Sequence, residues 1–140
     1  MNNSVYPCMW FDGQAKAAAE FYCSVFKNSR IINTTPMVVI FELNGSKFMA
    51  LDGGPEYTFN EAVSFVVNCE TQEEIDHYWS KLTEGGREWR CGWLKDKFGV
   101  SWQIVPSILG KLMSDPEKAP RVMYAFMQMK KFNIEKLLQA

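Results

Sequence analysis

Histidine is almost missing from this chain. His77 is the sole example, and the four cysteines, Cys8, Cys23, Cys69 and Cys91, form no C-x-x-C pair. A structural zinc cage draws four such donors at short paired spacings, so none is expected. His77, between Asp76 and Tyr78 in a helical pattern, reads as an exposed helix residue. The wide cysteine spacing offers no disulfide framework, and 140 residues bury enough core to fold without one. Reduced thiols in a cytoplasm are expected.

Long apolar runs are also missing. None approaches the ~18 residues that a membrane span requires. Met1-Asn2-Asn3-Ser4-Val5 carries no charged segment followed by an apolar one, so neither membrane insertion nor export is expected. An excess of one charge is missing too, the formal net charge being -1. Without a basic field there is little to gather nucleic-acid phosphates. The adjacent pair Lys130-Lys131 follows an apolar helical stretch, where cations suit the helix dipole.

What is present is apolar material, 47% hydrophobic against 22% charged, which places the chain among globular proteins. It is arranged as a repeat. At an offset of 57, Ala18, Glu20, Phe21, Tyr22, Val25, Phe26 and Arg30 align without a gap on Ile75, His77, Tyr78, Trp79, Leu82, Thr83 and Arg87. Ala15, Ala18, Ala19, Tyr22, Val25 and Phe26 recur at helical spacing and predict a buried stripe; Ile75, Tyr78, Trp79 and Leu82 predict a second. Thr71 and Glu74 have the spacing of a capping box, and Gly85-Gly86 and Asn28-Ser29 supply the stops.

Strand candidates precede each helix, at 5–11 and 63–69, and follow it. After the first come 31–35, 38–43 and 47–52, with Asn44-Gly45 as a two-residue hairpin turn; after the second come 88–93, a poorly defined Leu94-Lys95 and 100–106. Both halves therefore read as strand, helix, then two or three antiparallel strands. The expected divisions are a first module at about 4–54, a second at about 61–106 and a helical tail at about 107–140. Gly53 to Asn60 forms the linker. In the tail, Asp115-Pro116 predicts a helix start, Val122, Met123, Phe126, Met127 and Met129 an apolar face, and Asn133 the cap of a last helix reaching Leu138.

A duplicated βαβββ unit resembles the vicinal oxygen chelate superfamily, which includes glyoxalase I, ring-opening dioxygenases and antibiotic-resistance proteins. The resemblance is sharpest at 7–15, Glu20-Phe21-Tyr22, 48–55, Cys69-Glu70-Thr71 and 92–103, and it points to the PhnB-like branch, whose members carry a demethylubiquinone methyltransferase label. It implies an α+β fold of tandem βαβββ modules forming a curved mixed sheet, with C-terminal helices added, and a homodimer. The methyltransferase label finds no support in the residues, because no Gly-rich turn joins a strand to a helix.

In metal-dependent members the ligands come from the first and last strands of each module. By that resemblance the places fall near Pro7, Ala50, Ser64 and Gln103, with a one-residue slip open at the first and third. Such a set lacks the carboxylates or imidazoles that offset a cation's desolvation, so no family-type metal and no cofactor are expected. A slip to Cys8, joined by Asp52 and Gln103, would leave a degenerate site; otherwise Cys8 packs under a helix as a small hydrophobe.

Period-two alternation sets Ser101, Gln103 and Val105 on one face of the last strand and Val100, Trp102 and Ile104 on the other, the second set being suited to packing against helices. Applied throughout, the rule puts Met9, Phe11, Ala50, Asp52, Ser64, Val66 and Asn68 on the side of Gln103. The expected product is an apolar cup for a small organic ligand, with Met9, Phe11, Asp52, Ser64, Asn68, Trp93 and Gln103 as the binding candidates. No activated nucleophile and base identify a reaction. Three readings follow: a ligand-binding PhnB-like protein, with Asp52 or Cys8 as the acid/base if it turns substrate over; a sequestering resistance-type protein relying on Trp10, Phe11 and Trp93; and a metal-dependent isomerase or dioxygenase.

Overall fold

The computed structural model describes residues 5–140, so the start of the first module and the segment Met1 to Ser4, read above for an export signal, lie outside the described residues. The chain divides into two compact units, one ending at Phe59 and the other running from Asn60 to Ala140. Each holds one βαβββ repeat with its own four-stranded mixed sheet.

The first unit runs β1 (Cys8–Phe11), α1 (Ala15–Val25), β2 (Arg30–Thr34), β3 (Val38–Leu43) and β4 (Ser46–Asp52), with sheet order β1-β4-β3-β2. β1 pairs with β4 in parallel, and the other neighbours are antiparallel. The predicted stripe of α1 is buried from Ala15 to Phe26, and Tyr22 stacks on Phe41 of β3 at 6.3 Å between ring centroids. Asn44 and Gly45 both adopt positive φ, 52° and 86°, as a two-residue turn between twisted strands requires.

The second unit repeats the order: β5 (Ser64–Cys69), α2 (Gln72–Thr83), β6 (Arg87–Glu88), β7 (Trp93–Lys95) and β8 (Ser101–Pro106), with sheet order β5-β8-β7-β6. The capping box forms as expected. Thr71 Oγ1 accepts from the Glu74 amide at 3.2 Å, and Glu74 Oε1 accepts from the Thr71 amide at 3.2 Å. Ile75, Trp79 and Leu82 are buried, and Tyr78 is half-buried. Cys69, at the end of β5, is the cysteine that packs as a small hydrophobe; burial, with the nearby charges of Glu74 and Glu70, pushes its thiol up to about 12. Cys8, expected in that role, is exposed.

Two boundaries differ from expectation. The strand predicted at 88–93 ends at Glu88; the chain turns through Cys91 and Gly92, which take φ of 57° and 81°, and β7 begins at Trp93 and pairs back on Arg87 and Glu88 through Lys95 and Leu94. Gly92 has no room for a side chain, since a Cβ there would stand 2.4 Å from the Phe132 ring and 2.7 Å from the Ile104 carbonyl oxygen. The helix expected from Asp115 starts later. The tail helices are α3 (Ile108–Met113), α4 (Ala119–Met127) and α5 (Ile134–Leu138), while Asp115 Oδ1 accepts from the Glu117 amide to brace a turn. A helix begun at Pro116 would ask Pro120 for an amide hydrogen it lacks; starting at Ala119 puts Pro120 in the first turn. Asn133 caps α5 through the Lys136 amide at 3.0 Å, as expected.

Candidate functional site

The strand registers of the second unit define its open face, away from α2. Trp102, Ile104 and Leu94 are buried with α2, and Glu88 of β6 accepts from Trp79 Nε1 of α2 at 2.6 Å. The opposite parity carries two cross-strand rows. One runs Arg87, Lys95, Ser101, Ser64 from β6 to β5, and the next runs Trp93, Gln103, Val66. Between the rows Gln103 Nε2 donates to Ser64 Oγ at 3.0 Å.

This face contains a cavity of about 190 Å³ lined by Glu61, Arg87, Trp89, Trp93, Leu94, Lys95 and Ser101. Its polar groups are unusual. Ser101 is 1% exposed, and its hydroxyl has no hydrogen-bond partner among the described residues. An unmet buried hydroxyl costs about 1–3 kcal/mol, so it marks a place where an acceptor or donor is wanted. Arg87 and Lys95 are direct cross-strand neighbours, an unfavourable like-charge pairing. Glu61 relieves it by an ion pair with Lys95. The Lys95 hydrogen bond and charge, with a smaller contribution from Arg87, hold the Glu61 carboxyl below its ordinary range. Arg87 lies over the Trp89 ring at 4.8 Å.

Of the residues predicted to share one cup, the structure brings Ser64, Trp93 and Gln103 together, and Asn68 lies on the same face beside Val105. Met9, Phe11 and Asp52 do not lie on an open face. Met9 and Phe11 are buried on the α1 side of the first sheet, and the amide of Ala15, first residue of α1, donates to Asp52 Oδ1 at 2.8 Å. Asp52 is a helix cap. Ala50, paired with both Met9 and Val39, is buried on that same side. Three residues separate Phe11 from Ala15 and two separate Cys69 from Gln72, so at the 57-residue offset that aligns the helices β1 is one residue out of register with β5, and the last residue of each strand, Phe11 and Cys69, is buried. Trp10 takes the other parity. Its indole donates to the Gly54 carbonyl at 2.9 Å and lies against Gly53, where a Cβ would come within 2.3 Å of the ring.

Arg87, Lys95, Glu61, Trp89 and Ser101 were not predicted as site residues. The alignment of Arg30 with Arg87 was a usable signal, because both open the strand after the repeat's helix. The carried-over metal positions do not fit a cation. Ala50 has no donor and faces α1, Ser64 and Gln103 bond each other, and among the described residues no three His, Cys, Asp or Glu side chains are grouped to hold a metal.

A pair of mixed four-stranded sheets, each built from one βαβββ repeat, defines a glyoxalase-like fold. Residues 3–105 match the model of the family described as 3-demethylubiquinone-9 3-methyltransferase, and the chain belongs to that PhnB-like family. The PhnB protein from Bacillus cereus is 33% identical, with 75% of this chain covering 100% of that one and a TM-score of 0.70. Two further structures share the fold alone. A glyoxalase-related enzyme from Fulvimarina pelagi is 16% identical over 77% of this chain and 91% of its own, with a TM-score of 0.55. The fosfomycin resistance protein FosX from Listeria monocytogenes, complexed with Mn(II) and sulfate ion, is 12% identical over 81% and 98%, with a TM-score of 0.58. No curated protein matches the sequence.

Proposed function

We propose that the chain binds a small organic molecule on the open face of its second sheet, without a family-type metal site. The observation that carries this is the Ser101 hydroxyl, buried and unpartnered, in a cavity walled by Trp89 and Trp93 and edged by ionic side chains. Apolar walls with a few convergent polar groups are the usual make-up of a small-molecule site. The volume lies below the ~300 Å³ at which drug-sized pockets begin, which favours a compact metabolite.

The reading does not extend to methyl transfer. Cofactor binding of that kind uses a Gly-rich turn from a parallel strand into a helix, whereas Gly53-Gly54 follows β4 into a loop. The reading does include self-association in a reducing compartment such as the cytoplasm. It is supported by four free cysteines and by α4, which leaves Met123, Tyr124 and Met127 exposed. Among the described residues no helix is long and apolar enough to cross a membrane.

Screening a library of small fragments by NMR tests the proposal. Saturable shifts are expected to converge on the Trp89 and Trp93 indoles and the Gln103 side-chain amide. Binders that shift other signals while leaving these three unmoved would contradict it.

A further inference from the structure

The proposed ligand site has a charge pattern that says more about what it takes. The row Arg87, Lys95, Ser101 presents two cations and one unpartnered hydroxyl along a single cross-strand line, with Trp89 and Trp93 in the adjacent row. Among the described residues, one carboxylate answers the two cations: Glu61, which precedes β5 in an exposed loop and keeps 62% of its side chain in solvent. Lys95, by contrast, is 29% exposed, and Arg87 has no carboxylate bonded to it among the described residues. A half-buried ammonium held by a solvent-facing loop carboxylate is a site whose counter-ion can be exchanged at low cost, since exposed ion pairs contribute only about 0–1 kcal/mol.

We infer that the cavity selects a compact organic anion with an aromatic or apolar body, whose carboxylate takes the place of Glu61 between Lys95 and Arg87 and accepts a hydrogen bond from Ser101. This rests on the ligand-site reading above and adds the charge class. The cation pair supplies charge-assisted hydrogen bonds, which are shorter and stronger than neutral ones. The Ser101 hydroxyl gains the partner that the protein withholds. Trp89 and Trp93, in the adjacent row, offer rings for the ligand body beside the cations. Glu61 then acts as an internal competitor: it keeps Arg87 and Lys95 tolerable side by side when no ligand is bound, and it is given up when one arrives.

Benzoate and benzamide, matched in shape and different in charge, provide the test. Both are titrated into the full chain while the Trp89 and Trp93 indole signals are followed by NMR. Benzoate is expected to bind at least about tenfold tighter than benzamide. Lys95→Met and Ser101→Ala should each weaken benzoate and leave benzamide nearly unchanged, and Glu61→Gln should tighten benzoate. The amide spectra of all three variants report that the fold is kept, and Arg87→Gln serves in place of Lys95→Met if that variant unfolds. Equal binding of both probes, or a Glu61→Gln variant that binds benzoate no better than the parent, overturns the anion inference and leaves the cavity as a ligand site. Failure of both probes to shift either indole overturns the inference together with the reading on which it rests.

Discussion

Two aspartates show how much a single residue's surroundings decide. Asp52, at the end of β4 and next to Gly53-Gly54, reads in sequence as either a turn brace or a base, and its carboxylate meets the first amide of α1, where the helix dipole favours negative charge. Asp96 has the opposite profile. Between Lys95 and Lys97 it reads as a solvated turn, but it is 3% exposed and accepts from the Phe98 amide at 2.8 Å, the Val100 amide at 3.1 Å and Trp102 Nε1 at 2.9 Å. It fixes the turn that aims β8. Asp96→Ala leaves those buried donors unpaired, so a loss of at least about 3 kcal/mol is expected from urea unfolding. A loss below about 1 kcal/mol would show that the three bonds do not hold the turn. Alternating sequence patterns could not find Asp96, because its burial follows from a reach back across β8 to Trp102 and not from local polarity.

At the scale of elements, periodicity was a sound guide where one face was distinctly apolar and a poor one where both were. The stripes of α1 and α2 and the strand over 38–43 were legible because buried and exposed positions differ in chemistry. In Cys8-Met9-Trp10-Phe11 every residue is apolar, so alternation alone cannot choose the parity, and the extra loop residue before α1 puts a register carried over from the helices one residue off. The break before β7 has a similar cause. Gly92 adopts a positive φ and faces Phe132, about forty residues further along the chain, a contact that local pattern could not disclose; its amide also donates to the Lys130 carbonyl at 2.8 Å. Gly92→Ala meets both a backbone penalty and a collision, and should cost at least about 2 kcal/mol. Thermal unfolding would measure it, and a melting temperature within a degree of the parent's would refute the account of that junction.

For the molecule as a whole, the duplicated βαβββ order and the family were legible, because each rests on repeated patterns spread over tens of residues. The candidate site was legible only in part. Ser64, Trp93 and Gln103 followed from alternation in β5, β7 and β8, whereas Arg87, Lys95 and Glu61 depend on β6 pairing with β7 and on a loop carboxylate arriving over them. Charged side chains on a short edge strand look like solvated surface until the register is known.

If the proposed ligand face is that of the second sheet, Asp52 has no part in it. Benzoate affinity measured by calorimetry in Trp93→Ala and Asp52→Ala tests this directly. Affinity in Trp93→Ala should be at least about tenfold weaker. Asp52→Ala should lose about 1 kcal/mol of stability and keep the parent's affinity. Loss of binding in a folded Asp52→Ala, with binding kept in Trp93→Ala, would contradict it.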